Sequence, residues 1–551
     1  MANDGAHYSL GLDFGTSSVR ALVVEVGCGE EVASVDWVFG RGVDGVISDP
    51  ADPNFARQWP GDYLEGMRRV VPGALAAAGI SGADLVGIGV DATGSTPLPV
   101  DDGCVPLSER AELAGDPAAM AWLWKDHTAQ AEAEEITELA RRLRPDYLDR
   151  CGGTYSSEWF WAKALRCLRS SPAVFRRARS FVELCDYIPA VLVGATDPAT
   201  IARSACAAGH KAMYADSWGG LPDREFLAEL APELADLRGS MSERARTAGE
   251  RAGGVDPDVA EQLGLRSGTA VSVGAIDAHL GAVGAGIGEG DLVKVMGTST
   301  CDMAIARLAE LPRVDGLCGI AMGSIVPGYV GFEAGQSAVG DVFAWAARHV
   351  GGRDHESLER DAAALSPGES GLLSLDWHNG NRCVLADPAL SGLLLGLNLQ
   401  TRDHEIYRAM IEATAFGART IIERLLSAGV PVEAVVACGG IATKSALTMQ
   451  IYADVLARPV AVSASSQSSA LGAAITGAVA GGAFATVEEA QAAMCPARSR
   501  TYQPRADAAA VYDRLFELYR QLHDAFGMAG HRAELGGVMK RLLALRGAAR
   551  T

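Results

Sequence analysis

Two short loops carry the first sign of chemistry. Asp13-Phe14-Gly15-Thr16-Ser17-Ser18 and Gly297-Thr298-Ser299-Thr300 each place a glycine and a run of hydroxyls between apolar stretches. Such a turn can aim several backbone N–H groups and hydroxyls at one anion, as a polyphosphate requires. Asp13, just ahead of the first loop, is placed to hold a hydrated Mg²⁺ beside those phosphates, and Arg20 adds positive charge. Either loop alone fits an ordinary β-hairpin equally well. Together, close to half the chain apart and each set strand–turn–strand, they favour an internal duplication with two phosphate-facing loops.

Further candidates lie between and after these loops. Asp277 follows the apolar run Val271–Ile276, where a carboxylate can accept a proton from a substrate hydroxyl or simply start a helix. Gly439-Gly440, with Lys444 and Ser445 beyond, follows a strand-like run and permits close backbone approach to a nucleotide or to another element. No G-x-x-x-x-G-K-[ST] run occurs, so a P-loop kinase is not supported. Lys211 and Glu333 are lone charges in small-residue or apolar settings, which suits a polar ligand or an exposed loop. Trp122–His127 and Glu158–Trp161 mix aromatic and charged residues, a pattern shared by sugar sites and by ordinary cores. For His279 a structural role is favoured.

The elements that must position these residues follow from periodicity. Tyr8–Asp13, Val19–Val26 and Glu31–Phe39 read as strands, Asp62–Ala78 as a helix that Pro72 should kink or shift, and Leu85–Asp91 as a buried strand. Hairpins joined to a parallel crossover give a mixed sheet with helices on its faces. The pattern resumes at Leu292, with a helix over Glu405–Leu426 stopped near Gly429, a strand at Ala434–Cys438, and a helix continuing from Gly440 through Val455. The fold class is therefore α/β with two related domains, residues 1–285 and 286–551, and a ligand cleft between them. Residues from about 100 to 265 fit neither half of the repeat and read as a substrate-side insertion. A helical tail begins near 502.

Bulk properties narrow the function classes. The 551 residues carry a formal net charge of −20, which disfavours nucleic-acid partners. The 11 cysteines include no C-x-x-C pair, and Cys185, Cys301 and Cys438 sit in apolar surroundings, so small buried thiols in a reducing compartment are expected. The N-terminus lacks a basic and apolar leader. Residues 463–487 carry no charge and are rich in Ala, Gly, Ser and Thr. This reads as a small-residue helix against a sheet rather than a membrane span. A cytoplasmic protein without membrane contact is expected.

The two loops, the Gly274–His279 segment and the Cys438–Ser445 segment with its continuation to Val460 resemble the FGGY carbohydrate kinases, from about Tyr8 to Ala483. That resemblance implies two RNase H-like domains of the actin/Hsp70/hexokinase superfamily, ATP and Mg²⁺, and commonly a homodimer. Val90–Pro97, Leu123–His127, Gly152–Glu158, Ala208–Tyr214 and Gly331–Asp341 are similar to the members that act on the ketopentose L-ribulose in L-arabinose catabolism. By the same resemblance, Asp13 serves Mg²⁺ while Thr16, Ser17 and Arg20 face the γ-phosphate. Gly297 and Thr298 hold the β/γ region, and Gly340, Gly440 and Lys444 lie along the nucleotide. Asp277 is the catalytic base and touches the sugar, whose pocket Gly94, Ser95, Lys211 and Glu333 line. Lys444 stands where glycerol kinases carry Asn. The competing readings are a kinase for another pentulose or pentitol, an actin- or Hsp70-like ATPase, and a sugar-binding regulator without catalysis.

Overall fold

The computed structural model describes residues 7–308 and 311–550. Two seven-stranded mixed sheets organise it. The first contains β1 (Tyr8–Phe14), β2 (Ser18–Glu25), β3 (Glu31–Val38), β4 (Leu85–Ala92), β5 (Arg251–Gly254) and β6 (Ala270–Ser272) in the order β5-β6-β4-β1-β2-β3. The short β7 (Ala275–Ile276) also pairs with β4. The second contains β8 (Gly290–Met296), β9 (Thr300–Ala306), β10 (Gly319–Met322), β11 (Val330–Ala334), β12 (Val432–Cys438), β13 (Val460–Val462) and β14 (Arg500–Tyr502), in the order β10-β11-β9-β8-β12-β13-β14.

The duplication is visible in these pairings. β1 lies antiparallel to β2 and parallel to β4, and β8 lies antiparallel to β9 and parallel to β12. Each sheet then adds a parallel strand and an antiparallel edge: β6 and β5 in the first, β13 and β14 in the second. Alternation explains the hairpins. Leu10, Leu12 and Phe14 of β1 are fully buried under a core that also takes Val19, Ala21 and Val23 of β2.

Helices fill the layers. α1 (Pro60–Ala78) runs unbroken through Pro72 and ends on Gly79, whose φ of 68° closes the last turn. α2 (Asp277–Gly284) packs on β4 and β7 of the first sheet and on β8 and β9 of the second, so it lies at their junction. α3 is Gly340–Ala346 and α4 Asp403–Ser427, the latter ending before Gly429. The helix expected from Gly440 to Val455 is two, α5 (Gly440–Lys444) and α6 (Ala446–Leu456). Ser445 breaks the run and caps the second through Thr448 N–H at 3.1 Å.

The small-residue helix is α7 (Ser468–Ala480), which lies against both β1 and β4. Its composition has a steric cause. A Cβ at Gly89 would fall 1.7 Å from Ala473 O, so strand and helix backbones touch where a larger residue would separate them. Among the described residues no helix is long and apolar enough to cross a membrane. The first helix of the C-terminal tail, α8 (Ala506–Gly527), is no loose appendage: Tyr512, Leu515, Phe516, Leu518 and Tyr519 are buried in the second core.

The stretch 100–265 is not one uniform block. Its helices around Trp122, Phe160, Trp161 and Phe226 form a separate core. Arg251–Gly254, in contrast, is the edge strand β5, and the helix Leu184–Leu192 packs into the first sheet's core. The glycine-rich, partly exposed β5 carries too weak an apolar alternation to announce itself as a strand.

Candidate active site

The strand ends of the first sheet converge three carboxylates. Asp13 and Asp91 are direct register partners across β1 and β4, and β7 pairs Ala275 with Asp91, delivering Asp277 as the first residue of α2. Asp91 is fully buried, and no donor reaches either of its oxygens. Burial, then the charge of Asp13, hold its carboxyl well above the usual carboxylate range. Burial also raises Asp13, against the pull of its hydrogen bond to Asp91 and of Arg20, whose guanidinium stands 3.9 Å away. Two carboxyls side by side, Asp91 buried and Asp13 partly exposed, make the oxygen donor set that a hydrated divalent cation takes. Asp91 was not foreseen as a site residue; its signal was a strand ending in a carboxylate, parallel to one that ends in Asp13.

Asp277 accepts Ala278 N–H at 2.6 Å, which orients the carboxylate at the helix start. Burial first, then Asp13, push its pKa up to about 7. Its other charged neighbours are Glu333 and Lys211, so Asp277 is near both the strand-end carboxyls and a second charged group.

That second group bridges the two halves. Lys211 Nζ donates to both Glu333 oxygens at 2.8 Å and lies 5.5 Å from the Trp159 ring centroid. Burial works against the ammonium, but Glu333 outweighs it and raises Lys211. Burial likewise opposes ionisation of Glu333, yet Lys211 holds its carboxyl far below the usual range. His210 and His279 stand 3.4 and 3.7 Å from Glu333 with no hydrogen bond to any ring nitrogen. Burial holds His210 well below the ordinary imidazole range and pushes His279 down to about 4, so both rings are neutral. His210, His279 and Glu333 offer metal-ligand atoms within 4.8 Å of one another, but the Lys211 ammonium already occupies both Glu333 oxygens.

Lys211 and Glu333 line a cavity of about 470 Å³ together with Glu158, Trp159, Asn381 and Arg382. Arg382 is a second unforeseen residue. Its guanidinium approaches Glu158 at 3.8 Å from a loop whose sequence shows no motif. Of the Gly94-Ser95 turn, Ser95 is buried and donates its hydroxyl to Glu183, while its carbonyl accepts Lys163 Nζ at 2.8 Å. Lys163 also reaches the Trp122 and Leu123 carbonyls, so a buried ammonium ties the turn to the insertion. Gly94 is the less buried member, and a Cβ there would meet Ile276 at 2.5 Å.

The phosphate-loop candidates gather from both sheets. Gly15 N–H donates to Ser18 O at 2.9 Å, and Gly297 N–H to Ser299 O at 3.0 Å, so each loop is closed from its glycine, the second one residue tighter. Ser17 is exposed, while Thr16 Oγ1 accepts the Trp124 indole N–H at 3.0 Å, which anchors the first loop to the insertion. Gly297 and Thr298 are exposed, and Gly340 N–H donates to Gly297 O at 3.1 Å. A Cβ on Gly340 would stand 2.6 Å from that oxygen, so glycine lets α3 start directly on the loop. Gly440 and Lys444 are exposed on α5. Beneath the second loop, Lys294 Nζ binds both Asp302 oxygens at 2.8–2.9 Å, Thr300 Oγ1 at 3.2 Å and Gln336 Oε1 at 2.9 Å. The next residue, Cys301, feels the charges of Arg382, Glu333, Asp277 and Lys211, which brings this loop to the same cleft.

Residues 8–284 match the N-terminal domain, and residues 292–481 the C-terminal domain, of the FGGY family of carbohydrate kinases. The chain belongs to this family. A ribulokinase of Shouchella clausii is 43% identical, the alignment covering 98% of each chain. A ribulokinase of Mycolicibacterium smegmatis is 40% identical over 94% of each. Among solved structures, a xylulose kinase of Rhodospirillum rubrum superposes with a TM-score of 0.76 at 25% identity, covering 94% of this chain and 98% of that one. The glycerol kinase of Plasmodium falciparum with ADP gives 0.76 at 14% identity, covering 96% and 100%. FGGY kinases thus share the two-sheet architecture described above, and this chain is a carbohydrate kinase, a phosphotransferase.

Proposed function

We propose that this FGGY kinase transfers the γ-phosphate of ATP to the terminal hydroxyl of L-ribulose, giving L-ribulose 5-phosphate and ADP. The observation that carries the chemistry is Asp277, near Asp13, Glu333 and Lys211, with a carboxyl that burial first and then Asp13 push up to about 7. The choice of sugar rests on relatives named ribulokinase at 38–43% identity over nearly the whole chain.

In this reading Lys211, Glu333 and the backbone at Gly94 hold the sugar hydroxyls, with Trp159 alongside. Asp277 accepts the proton of the attacking hydroxyl, for which a pKa near neutrality is well matched. Asp13, with Asp91 behind it, is where Mg²⁺ would be held, and the cation when bound neutralises phosphate charge. Thr16, Ser17 and Arg20 face the γ-phosphate, Gly297 and Thr298 the β/γ region, and Gly340, Gly440 and Lys444 the rest of the nucleotide. Phosphoryl transfer asks chiefly for alignment and charge neutralisation, which loops from two sheets meeting at one cleft supply. Closure of residues 1–285 on 286–551 would exclude water as a competing acceptor. A cytoplasmic homodimer acting in L-arabinose breakdown completes the proposal.

The test is ADP release with Mg·ATP against L-ribulose, D-ribulose, D-xylulose, L-xylulose, ribitol and glycerol. The highest kcat/KM with L-ribulose is expected. Preference for another member replaces the substrate, and sugar-independent hydrolysis removes the kinase reading.

A further inference from the structure

Two thiols far apart in sequence meet beside the cleft. Cys318 Sγ and Cys383 Sγ are 3.3 Å apart, within hydrogen-bonding reach, and all 11 cysteines are free. Cys318 lines the 470 Å³ cavity and is partly exposed there, whereas Cys383 is buried behind it. The backbone holds them together. Gly316, with φ 83°, lies so close to the second segment that a Cβ would fall 1.9 Å from Val384 O. The segment 381–387 is itself a closed unit, because Asn381 and Asp387 exchange both backbone hydrogen bonds at 2.9 Å and Leu385 N–H donates to Asn381 Oδ1 at 2.9 Å. The hydrogen bond to Cys383, then burial, hold the Cys318 thiol well above its usual range against the pull of the neighbouring Arg382, so exchange at this pair proceeds through a minor thiolate fraction.

We propose that Cys318 and Cys383 form a reversible oxidative-modification site, closing to a disulfide with a low-molecular-weight disulfide as oxidant. The Cys318 thiolate, reached from the cleft, attacks one sulfur of the oxidant and releases the first small thiol. The Cys383 thiolate then attacks the Cys318 sulfur of the mixed disulfide and releases the second. Two protein thiols lose two electrons, the oxidant gains them, and the two protons go to the released thiols. A disulfide needs its sulfurs at about 2 Å, so the 381–387 unit is drawn toward β10. That unit carries Asn381 and Arg382 into the cavity, and Cys318 N–H donates to Glu333 O at 2.9 Å, so the bridge acts on the cavity wall beside Lys211 and Glu333.

The experiment treats the full chain with oxidised glutathione, maps peptides without reduction, and compares Cys318→Ser and Cys383→Ser. The expected result is a linked peptide pair containing Cys318 and Cys383, absent in both variants and opened by dithiothreitol. Sugar kcat/KM should fall about tenfold on oxidation and recover on reduction, with Cys318→Ser insensitive and Cys383→Ser keeping the small thiol as a mixed disulfide on Cys318. Kinetics are read with whichever sugar the substrate panel selects, so failure of the L-ribulose reading leaves this test intact. Glutathione on the exposed Cys28 with Cys318 and Cys383 still unlinked overturns the site. A bridge that leaves sugar kinetics unchanged overturns its coupling to the cleft.

Discussion

The two hairpins that open the two sheets have the same topology and opposite chemistry. In the first, Asp13 pairs with Asp91 on the neighbouring parallel strand; at the corresponding place in the second, Val295 pairs with Cys438. Five residues after each loop glycine stand Arg20 and Asp302. Arg20 is one-third exposed and only 3.9 Å from Asp13, so its charge remains available to a ligand. Asp302 is fully buried and neutralised by Lys294. The first hairpin leaves Asp13 partly exposed beside Asp91 and Arg20, while the second turns its charges inward to brace its loop. A duplicated frame has thus become one half that can hold a cation and one half that can present a rigid backbone to phosphates.

This division can be broken at specific residues. The largest effect belongs to Asp277→Asn, which should lower kcat by about 10²–10⁴-fold with ATP affinity little changed, read by steady-state kinetics and nucleotide titration. Next, Asp302→Ala strands the Lys294 ammonium in the core at a cost of about 3–5 kcal/mol. It should lower the melting temperature by several degrees, whereas Arg20→Ala, at the matching position of the first hairpin, should leave it nearly unchanged. Equal melting temperatures for the two would contradict the contrast between them. Asp13→Asn should lower kcat roughly 10–100-fold and raise the Mg²⁺ concentration needed for half-maximal rate, while Cys438→Ser, at the place on the second sheet that matches Asp91, alters neither. The smallest effect is Lys211→Ala, expected to raise the sugar KM about tenfold and the ATP KM much less; equal shifts would take Lys211 out of the sugar pocket.

Much of this contrast was legible in the residues. The two loops, the strands around them and Asp277 at a strand end follow from alternation and turn chemistry. The small-residue composition of 463–487 foretold close helix-on-sheet packing, which Gly89 and Ala473 display. Sequence did not reveal what depends on register and burial. Asp91 matters because it is paired with Asp13 and has no donor. Lys163 matters because its ammonium gathers three carbonyls from two separate segments. Ser95 belonged to the expected sugar-lining turn, yet its hydroxyl is committed to Glu183. Arg382 comes from a loop with no motif, and only the fold carries it to the cavity. The split of the helix at Ser445 was likewise hidden, because the apolar face continues across the break.

The most direct test of the central claim is the pH dependence of sugar kcat/KM in the wild type and in Asp277→Asn. A base must be ionised to accept the proton, and burial with Asp13 nearby pushes Asp277 up to about 7. Wild-type kcat/KM should therefore rise with pH through an apparent pKa near 7. The residual activity of Asp277→Asn should lose that limb. A limb that persists unchanged in the variant, or near-normal turnover at every pH, would contradict Asp277 as the base.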